Sequence, residues 1–445
     1  MKFDELAVLM RENGIVGAGG AGFPSYAKLK NEGIDTIILN CAECEPLLRL
    51  HRQLMEKKAY EIISTLDLIA KTIGASSVII GVKSAYTRAI SAIEANLASF
   101  NNIHICPLNA VYPAGDEVVL IHEATGKIVP PGALPASVGI IVYNVETVYN
   151  VYRALSGDAV THKFVTVAGE VKKPQTFFAP IGMEFGELVD LAGGETVEGA
   201  AYLVGGPMMG SLGSRFDVVT KTTNAIIVLP HDHYVVLRKQ VKPAIDMKRA
   251  MAACCQCRYC TDMCPRHLLG HPIEPHEFMR VVSNRDSHNL TPYLNAMFCS
   301  GCGLCEMYSC GQGLSPRALI GEFKKGFKAA GIPMPKYEGK VKSVRDSEYR
   351  RVPVLRLASR IGLSKYNKSA PIVDTEITPE TVKILLSQHI GVPAAATVKK
   401  GDSVKCGDVI GKAVEGKLGV NIHSSVNGKV IDVNEKFVII RTERA

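Results

Sequence analysis

The sequence predicts a multidomain α/β protein, opening with an α/β sheet domain and closing with a small all-β one. Three observations carry this. Strand-like and helix-like segments alternate through the first third of the chain. Nine of the 13 cysteines lie between Cys254 and Cys310, eight of them spaced as two short runs, and residues 385–443 break into short strands at glycine turns. At 445 residues, 47% hydrophobic and 21% charged, the chain is long enough for several cores and too apolar for disorder. Its net charge of +8 is too modest to argue for nucleic acid and suits an anionic cofactor or an acidic partner. The longest uncharged apolar stretch, residues 128–145, carries Pro130, Pro131 and Pro135, so no membrane span is predicted. The first residues, MKFDELAVLMREN, hold acids and no long apolar block, which predicts no signal peptide and a cytoplasmic setting.

Residues 1–158 read as one α/β domain. Amphipathic Phe3–Glu12 is followed by strands at 36–39, 77–82, 103–106 and 138–142 and by helices at 50–72, 85–97 and 146–155. Residues 159–240 read as a small α+β module: strands at 164–169, 175–178 and 225–229 surround a helix at 185–192, with glycine turns at Gly193-Gly194 and Gly205-Gly206. Residues 241–335 are helical and cysteine-rich, and Ser315-Pro316 marks the start of the last helix. Residues 336–384 form a basic stretch, with ten Lys/Arg against three Asp/Glu over 336–368, and read as a solvated linker. Residues 385–445 are the all-β domain.

The cysteine runs carry the chemistry. The first is Cys254-x2-Cys257-x2-Cys260-x3-Cys264-Pro265; the second is Cys299-x2-Cys302-x2-Cys305-x4-Cys310. Three thiolates at x2 spacing wrap three corners of a cubane, and the fourth of each run reaches across to the other cluster. The spacing therefore predicts two [4Fe–4S] clusters with crossed ligation: Cys254, Cys257, Cys260 and Cys310 for one, Cys299, Cys302, Cys305 and Cys264 for the other. The competing reading, zinc in C-x2-C pairs, leaves the third cysteine of each triplet unexplained.

Two further segments stand out. GAGGAGFPSYAK (17–28) is a glycine loop that suits a phosphate cradle, with Lys28 as a cation, although a helix rather than a strand precedes it. NCAECEP (40–46) follows a strand directly, where ligands of open α/β sheets bind. Cys41-x-x-Cys44 reads as packed cysteine rather than a redox dithiol.

These two segments, with YPAGDE (112–117) and NVET (144–147) following in order, resemble the flavin-binding domain of the NADH-oxidising subunit of respiratory complex I. They are still more similar to the C subunit of the Rnf electron-transport complex. Residues 161–235 resemble the soluble-ligand-binding β-grasp module that follows the flavin domain in that family. The C-terminal KKGDSVKCGDVIGK resembles a barrel-sandwich hybrid domain, without a carrier lysine at its hairpin tip. In Rnf C subunits that domain comes first; its position after the clusters resembles the cobalamin reductases of propanediol-utilisation microcompartments. The resemblance implies FMN, NADH as substrate and two [4Fe–4S] clusters. Gly17, Gly19, Gly20, Gly22, Phe23 and Lys28 would cradle the flavin. Asn40, Glu43, Cys44 and Glu45 would edge flavin and NADH, and Tyr112, Gly115, Asp116, Glu117 and Asn144 would close the site. Lys28 and Glu45 are the candidate catalytic residues. Complex I carries an acid where this chain has Ala42, and Ser where it has Cys44. The implied acceptor is a corrinoid (cobalamin), bound transiently or on a corrinoid-handling enzyme, inside a microcompartment or at its shell protein. The alternatives are an Rnf C-like protein feeding an amino-acid reductase or a ferredoxin, and a non-catalytic iron–sulfur adaptor.

Overall fold

Four parallel strands form the first sheet: β1 (Thr36–Cys41), β2 (Ser77–Lys83), β3 (Ile103–Leu108) and, after the short β4 (Val111–Tyr112), β5 (Ile140–Asn144). The computed structural model describes residues 1–30 and 32–443. The order β3-β2-β1-β5 means that the chain winds outward from β1, then returns to β1's other side. Because side chains alternate across a strand, Ile37, Leu39 and Cys41 pack under helices α1 (Phe3–Glu12), α2 (Leu50–Lys57), α3 (Ala59–Ile73), α4 (Thr87–Leu97) and, past α5, α6 (Val145–Leu155). Ile38, Ile140 and Val142 face α5 (Glu117–Thr125) on the opposite layer. The helix expected over 50–72 is broken at Lys58, whose φ of −134° leaves the helical region. Strand β5 starts later than expected because Pro135–Val138 forms a 3₁₀ turn closed by left-handed Gly139.

The second module is a mixed sheet: β6 (His162–Gly169), β7 (Gln175–Pro180), β8 (Ala200–Val204), β9 (Ser211–Gly213) and β10 (Ala225–Pro230), in the order β7-β6-β10-β8-β9. A buried ion pair bolts it to the first domain. Lys163 on β6 meets Glu146 on α6, each about 1% exposed, and Lys163 also donates to Asn224 Oδ1 at 2.9 Å. The cysteine module is built of short helices, and its last, Pro316–Ala329, starts where Ser315-Pro316 predicts. The Ser315 hydroxyl, however, turns away from the helix and donates to Asp246 at 2.8 Å.

The stretch read as a solvated linker is one only in its first half. From Val352 the chain pairs with β4, then forms a short helix, Val354–Arg360. Leu357, Ile361 and Leu363 are fully buried there while Arg356 and Arg360 stay exposed. Charge counting sees the arginines and not the apolar side chains between them. The all-β domain begins at Thr381 and stacks a four-stranded antiparallel sheet on a three-stranded one. Its Ile384, Ile410, Ile422 and Ile440 share one continuous core with Ile15, Leu29 and Leu39 of the first domain. Lys221 marks the three-way seam: its buried ammonium donates to the Gly14 carbonyl at 2.7 Å and the Asn421 carbonyl at 3.0 Å. Among the described residues, no helix is long and apolar enough to cross a membrane.

Candidate active site

From β1 the chain runs on to β2 on one side, and after β3 it returns to lay β5 on the other, and open α/β sheets bind ligands at the carboxyl ends of strands at such a reversal. Asn40, next to last in β1, and Asn144, last in β5, are register partners. Above them opens a cavity of ≈ 480 Å³, within the range of cofactor sites. Its wall carries Gly19, Gly20, Asn40, Glu43, Cys44, Glu45, Tyr112, Gly115, Asp116, Glu117 and Asn144, eleven of the residues expected from sequence. A larger cavity of ≈ 610 Å³, between Tyr149, Phe178 and residues 372–378, has neither a glycine cradle nor a cysteine quartet. The chemistry therefore points to the smaller one.

Each wall residue is held for a structural reason. Asn40 donates to the Gly115 carbonyl at 2.9 Å. Asn144 caps α6, accepting from Glu146 N at 3.0 Å, and its amide lies 2.9 Å from His51 Nε2. Asp116 caps α5 through Val118 N and Val119 N. Glu43, with a left-handed φ of +22°, accepts from Leu50 N (2.7 Å) and His51 N (3.2 Å) at the start of α2. Three helix N-termini (α2, α5 and α6) thus end at one cavity, and the Glu43 and Asp116 carboxylates already occupy two of them. Gly19 leaves room that no side chain could: an added Cβ would sit 2.2 Å from Asn144 Nδ2, whereas one at Gly20 would meet open space. The polar cradle, where Glu43 Oε2 and His51 Nδ1 have no partner among the described residues and Gly20 faces open space, fits the polar edge of a flavin ring.

Not all the expected residues reach the cavity. Gly17 N closes the glycine loop on the Phe23 carbonyl at 2.9 Å, and Gly22 packs against Thr222 and Gln388. Lys28 stands behind the wall, donating to the Val142 carbonyl (3.0 Å) and to Glu117 (3.4 Å). Both Glu45 oxygens accept backbone N–H groups, from Met208 and Met209 at 2.9 Å each, so it latches the 205–210 loop over the cavity. Burial raises the Glu45 carboxyl despite those donors. Cys44 lines the cavity as a thiol, pushed up to about 12 by burial. Cys41 points into the helix-side core and not to the flavin edge.

Sequence reasoning missed His51, Thr166, Asn224 and Met209, which complete the wall. Three of them come from the second module, whose approach leaves no local signal. It also missed that Cys302 lines this cavity. Tyr112, 2% exposed, donates its hydroxyl to the Cys302 carbonyl at 2.7 Å, and Asp116 pairs with Arg266 at 2.9 Å, two residues after Cys264.

The cysteines gather in two groups. Cys254, Cys257, Cys260 and Cys310 line one opening of ≈ 260 Å³. Burial, then the neighbouring thiolates of Cys257, Cys310 and Cys254, push Cys260 up to about 12. Burial raises Cys302 as well, followed by its neighbours Cys264 and Cys299. N–H groups approach the sulfurs: Gly301 N on Cys299 and Leu314 N on Cys310, both at 3.3 Å, and Gln256 Nε2 on Cys254 at 3.2 Å. Both loops reverse direction at matching places, through left-handed Gln256 and Arg258 in the first and Gly301 and Gly303 in the second. Thiolate-only donor sets with N–H···S bonds fit iron–sulfur clusters. Among the described residues no three His, Cys, Asp or Glu side chains close as tightly as a single ion requires, whereas a cubane spreads its thiolates over a larger cage.

Family models match four stretches in order: the Nuo51 FMN-binding domain at 10–153, the SLBB domain at 164–211, a 4Fe-4S dicluster domain at 253–315 and the RnfC barrel sandwich hybrid domain at 362–444. Fold and site together define an oxidoreductase that carries FMN and two [4Fe–4S] clusters. Curated relatives are more specific. Cobalamin reductase PduS of Citrobacter freundii is 40% identical over 97% of this chain and 95% of its own length. That of Salmonella typhimurium is 40% identical over 98% and 96%. The chain belongs to the cobalamin reductase PduS family. A component of the Na⁺-translocating ferredoxin:NAD⁺ oxidoreductase complex of Acetobacterium woodii, its C subunit, is 33% identical over 65% of this chain and 64% of that protein. Among solved structures, an NAD⁺-reducing [NiFe]-hydrogenase in the H₂-reduced state shares the fold at TM-score 0.50 and 19% identity, covering 75% of this chain and 63% of its own.

Proposed function

We propose that this protein passes electrons from NADH, through FMN in the 480 Å³ cavity and the two clusters, to the cobalt of a corrinoid. The observation that carries the reading is the shared wall: Cys302 of the cluster module lines the flavin cavity and is held there by Tyr112. Full-length likeness to relatives named cobalamin reductase supports the acceptor. FMN, when bound, takes a hydride and releases its two electrons singly. The chain's own residues bind and orient. Gly19 and Gly20 would receive the flavin and its phosphate, and Lys28 holds Glu117 in place. Glu45 fixes the 205–210 loop over one side of the cavity. Cys254, Cys257, Cys260 and Cys310 hold one cluster; Cys264, Cys299, Cys302 and Cys305 hold the other.

Protein purified without oxygen should lose its flavin absorbance on adding NADH, show reduced-cluster EPR signals, and reduce cob(III)alamin. Absence of flavin bleaching by NADH overturns the nicotinamide route; bleaching without cobalamin reduction moves the acceptor to a partner protein, as in the Rnf-like reading. A microcompartment location belongs to the same proposal, and co-purification with shell protein tests it.

A further inference from the structure

We propose that the two cysteine quartets have different tasks: electrons leave the flavin cavity through Cys264, Cys299, Cys302 and Cys305, and leave the protein through Cys254, Cys257, Cys260 and Cys310. This rests on the flavin-to-cluster reading above and adds direction to it.

The quartets differ in where the fold puts them. In the first, Cys264, Cys302 and Cys305 are buried, at 8–9% exposure. Cys302 forms part of the flavin cavity, and two polar links tie this quartet to that wall: Tyr112 to the Cys302 carbonyl, and Asp116 to Arg266. The second quartet contributes nothing to the flavin cavity. It lies at the surface, where Cys257 and its neighbours Met251, Cys255, Gln256, Arg258 and Tyr259 are all exposed. Arg258 is the one charge in residues 251–259, and it is engaged by Asp262 (3.3 Å) and Glu274 (3.7 Å). The quartets touch through short helices: Tyr259–Asp262, carrying Cys260, packs on Leu304–Met307, carrying Cys305.

Electron tunnelling falls steeply with distance, so a centre sharing the flavin's wall is loaded first and a centre open to solvent is the one an external acceptor can approach. No bond forms or breaks at a cysteine. One reduced flavin supplies two electrons, two acceptor cobalts each gain one, and the flavin's protons pass to water. Solvent exposure and N–H···S bonds set the potentials of such clusters, so the two sites should also titrate apart.

The test uses anaerobic full-length holoprotein, with the flavin reduced by light and EDTA rather than NADH, and freeze-quench EPR. In Cys302→Ser the signal of the exposed quartet should be lost under light yet return with dithionite. In Cys257→Ser the signal of the buried quartet should form at the wild-type rate while cob(III)alamin reduction is lost. The reverse pattern, or light-driven reduction of the exposed quartet at the wild-type rate in Cys302→Ser, overturns the assignment. If a variant fails to fold, an aqueous dysprosium chelate on unaltered protein decides. It should enhance relaxation of one cluster signal only, the one altered in whichever serine variant of the exposed quartet folds; equal enhancement of both signals overturns the assignment. Because light replaces NADH, failure of NADH to bleach the flavin would overturn the nicotinamide route and leave this order standing.

Discussion

Replacing Lys221 with methionine should remove a pH dependence from the stability of the three-domain seam. The Lys221 ammonium is 2% exposed and donates to two carbonyls, and burial pushes it down to about 7. In the unfolded chain the same group titrates near 10.5. Between those values the unfolded state binds more protons than the folded one, so stability rises with pH across the window. Below it both states are charged and the penalty is constant. From pH 7 to pH 9 the gain from this one group is about 2 kcal/mol, at about 1.4 kcal/mol per unit once the folded group is neutral. Urea midpoints of wild-type and Lys221→Met holoprotein at the two pH values supply the measurement. Methionine leaves the Gly14 and Asn421 carbonyls unpaired at every pH, so the informative quantity is the difference in slope. Equal slopes would show that two carbonyls suffice to keep the buried ammonium charged, and would refute the reasoning.

Gly19→Ala should give folded protein with intact clusters that has lost FMN, because the new methyl would lie 2.2 Å from Asn144 Nδ2; flavin absorbance after gel filtration checks it. Lys163→Met should cost about 3–5 kcal/mol by stranding the Glu146 carboxylate in the interior. Adding Glu146→Leu should recover part of that loss, read from thermal melts. Glu45→Gln keeps the shape but offers one acceptor oxygen to two N–H groups. It should cost about 1–3 kcal/mol in the 205–210 loop, and KM for NADH should rise more than kcat falls.

Much of the fold was legible because local chemistry dictates it. The β-branched runs at 77–82 and 225–229 form strands in any context that buries them, and the x2 spacing of the cysteines has few other uses. What escaped was whatever depends on distant chain. Strands β8 and β9 are short and set among glycines, and they exist because β10 offers an edge. The pairing of Val352–Pro353 with β4 joins segments about 240 residues apart and has no local signature. The glycine loop was legible as ordered, but not its division: Gly19 and Gly20 face the cavity, while Gly17 and Gly22 serve the loop's own closure and its packing. His51 could not be singled out, since its placement follows from Asn144 and from Glu43 holding the start of α2.

The continuous core between the first domain and the last bears on how such proteins tolerate rearrangement of their genes. Asn421 N donates to the Arg11 carbonyl, and Ile422 shares a core with Ile15, so the terminal domain is located by its interface and not by the segment that delivers it. A permuted chain that begins with this domain would present the same face to the same helices. Deleting the domain would uncover the apolar surface around Ile15 and Leu29.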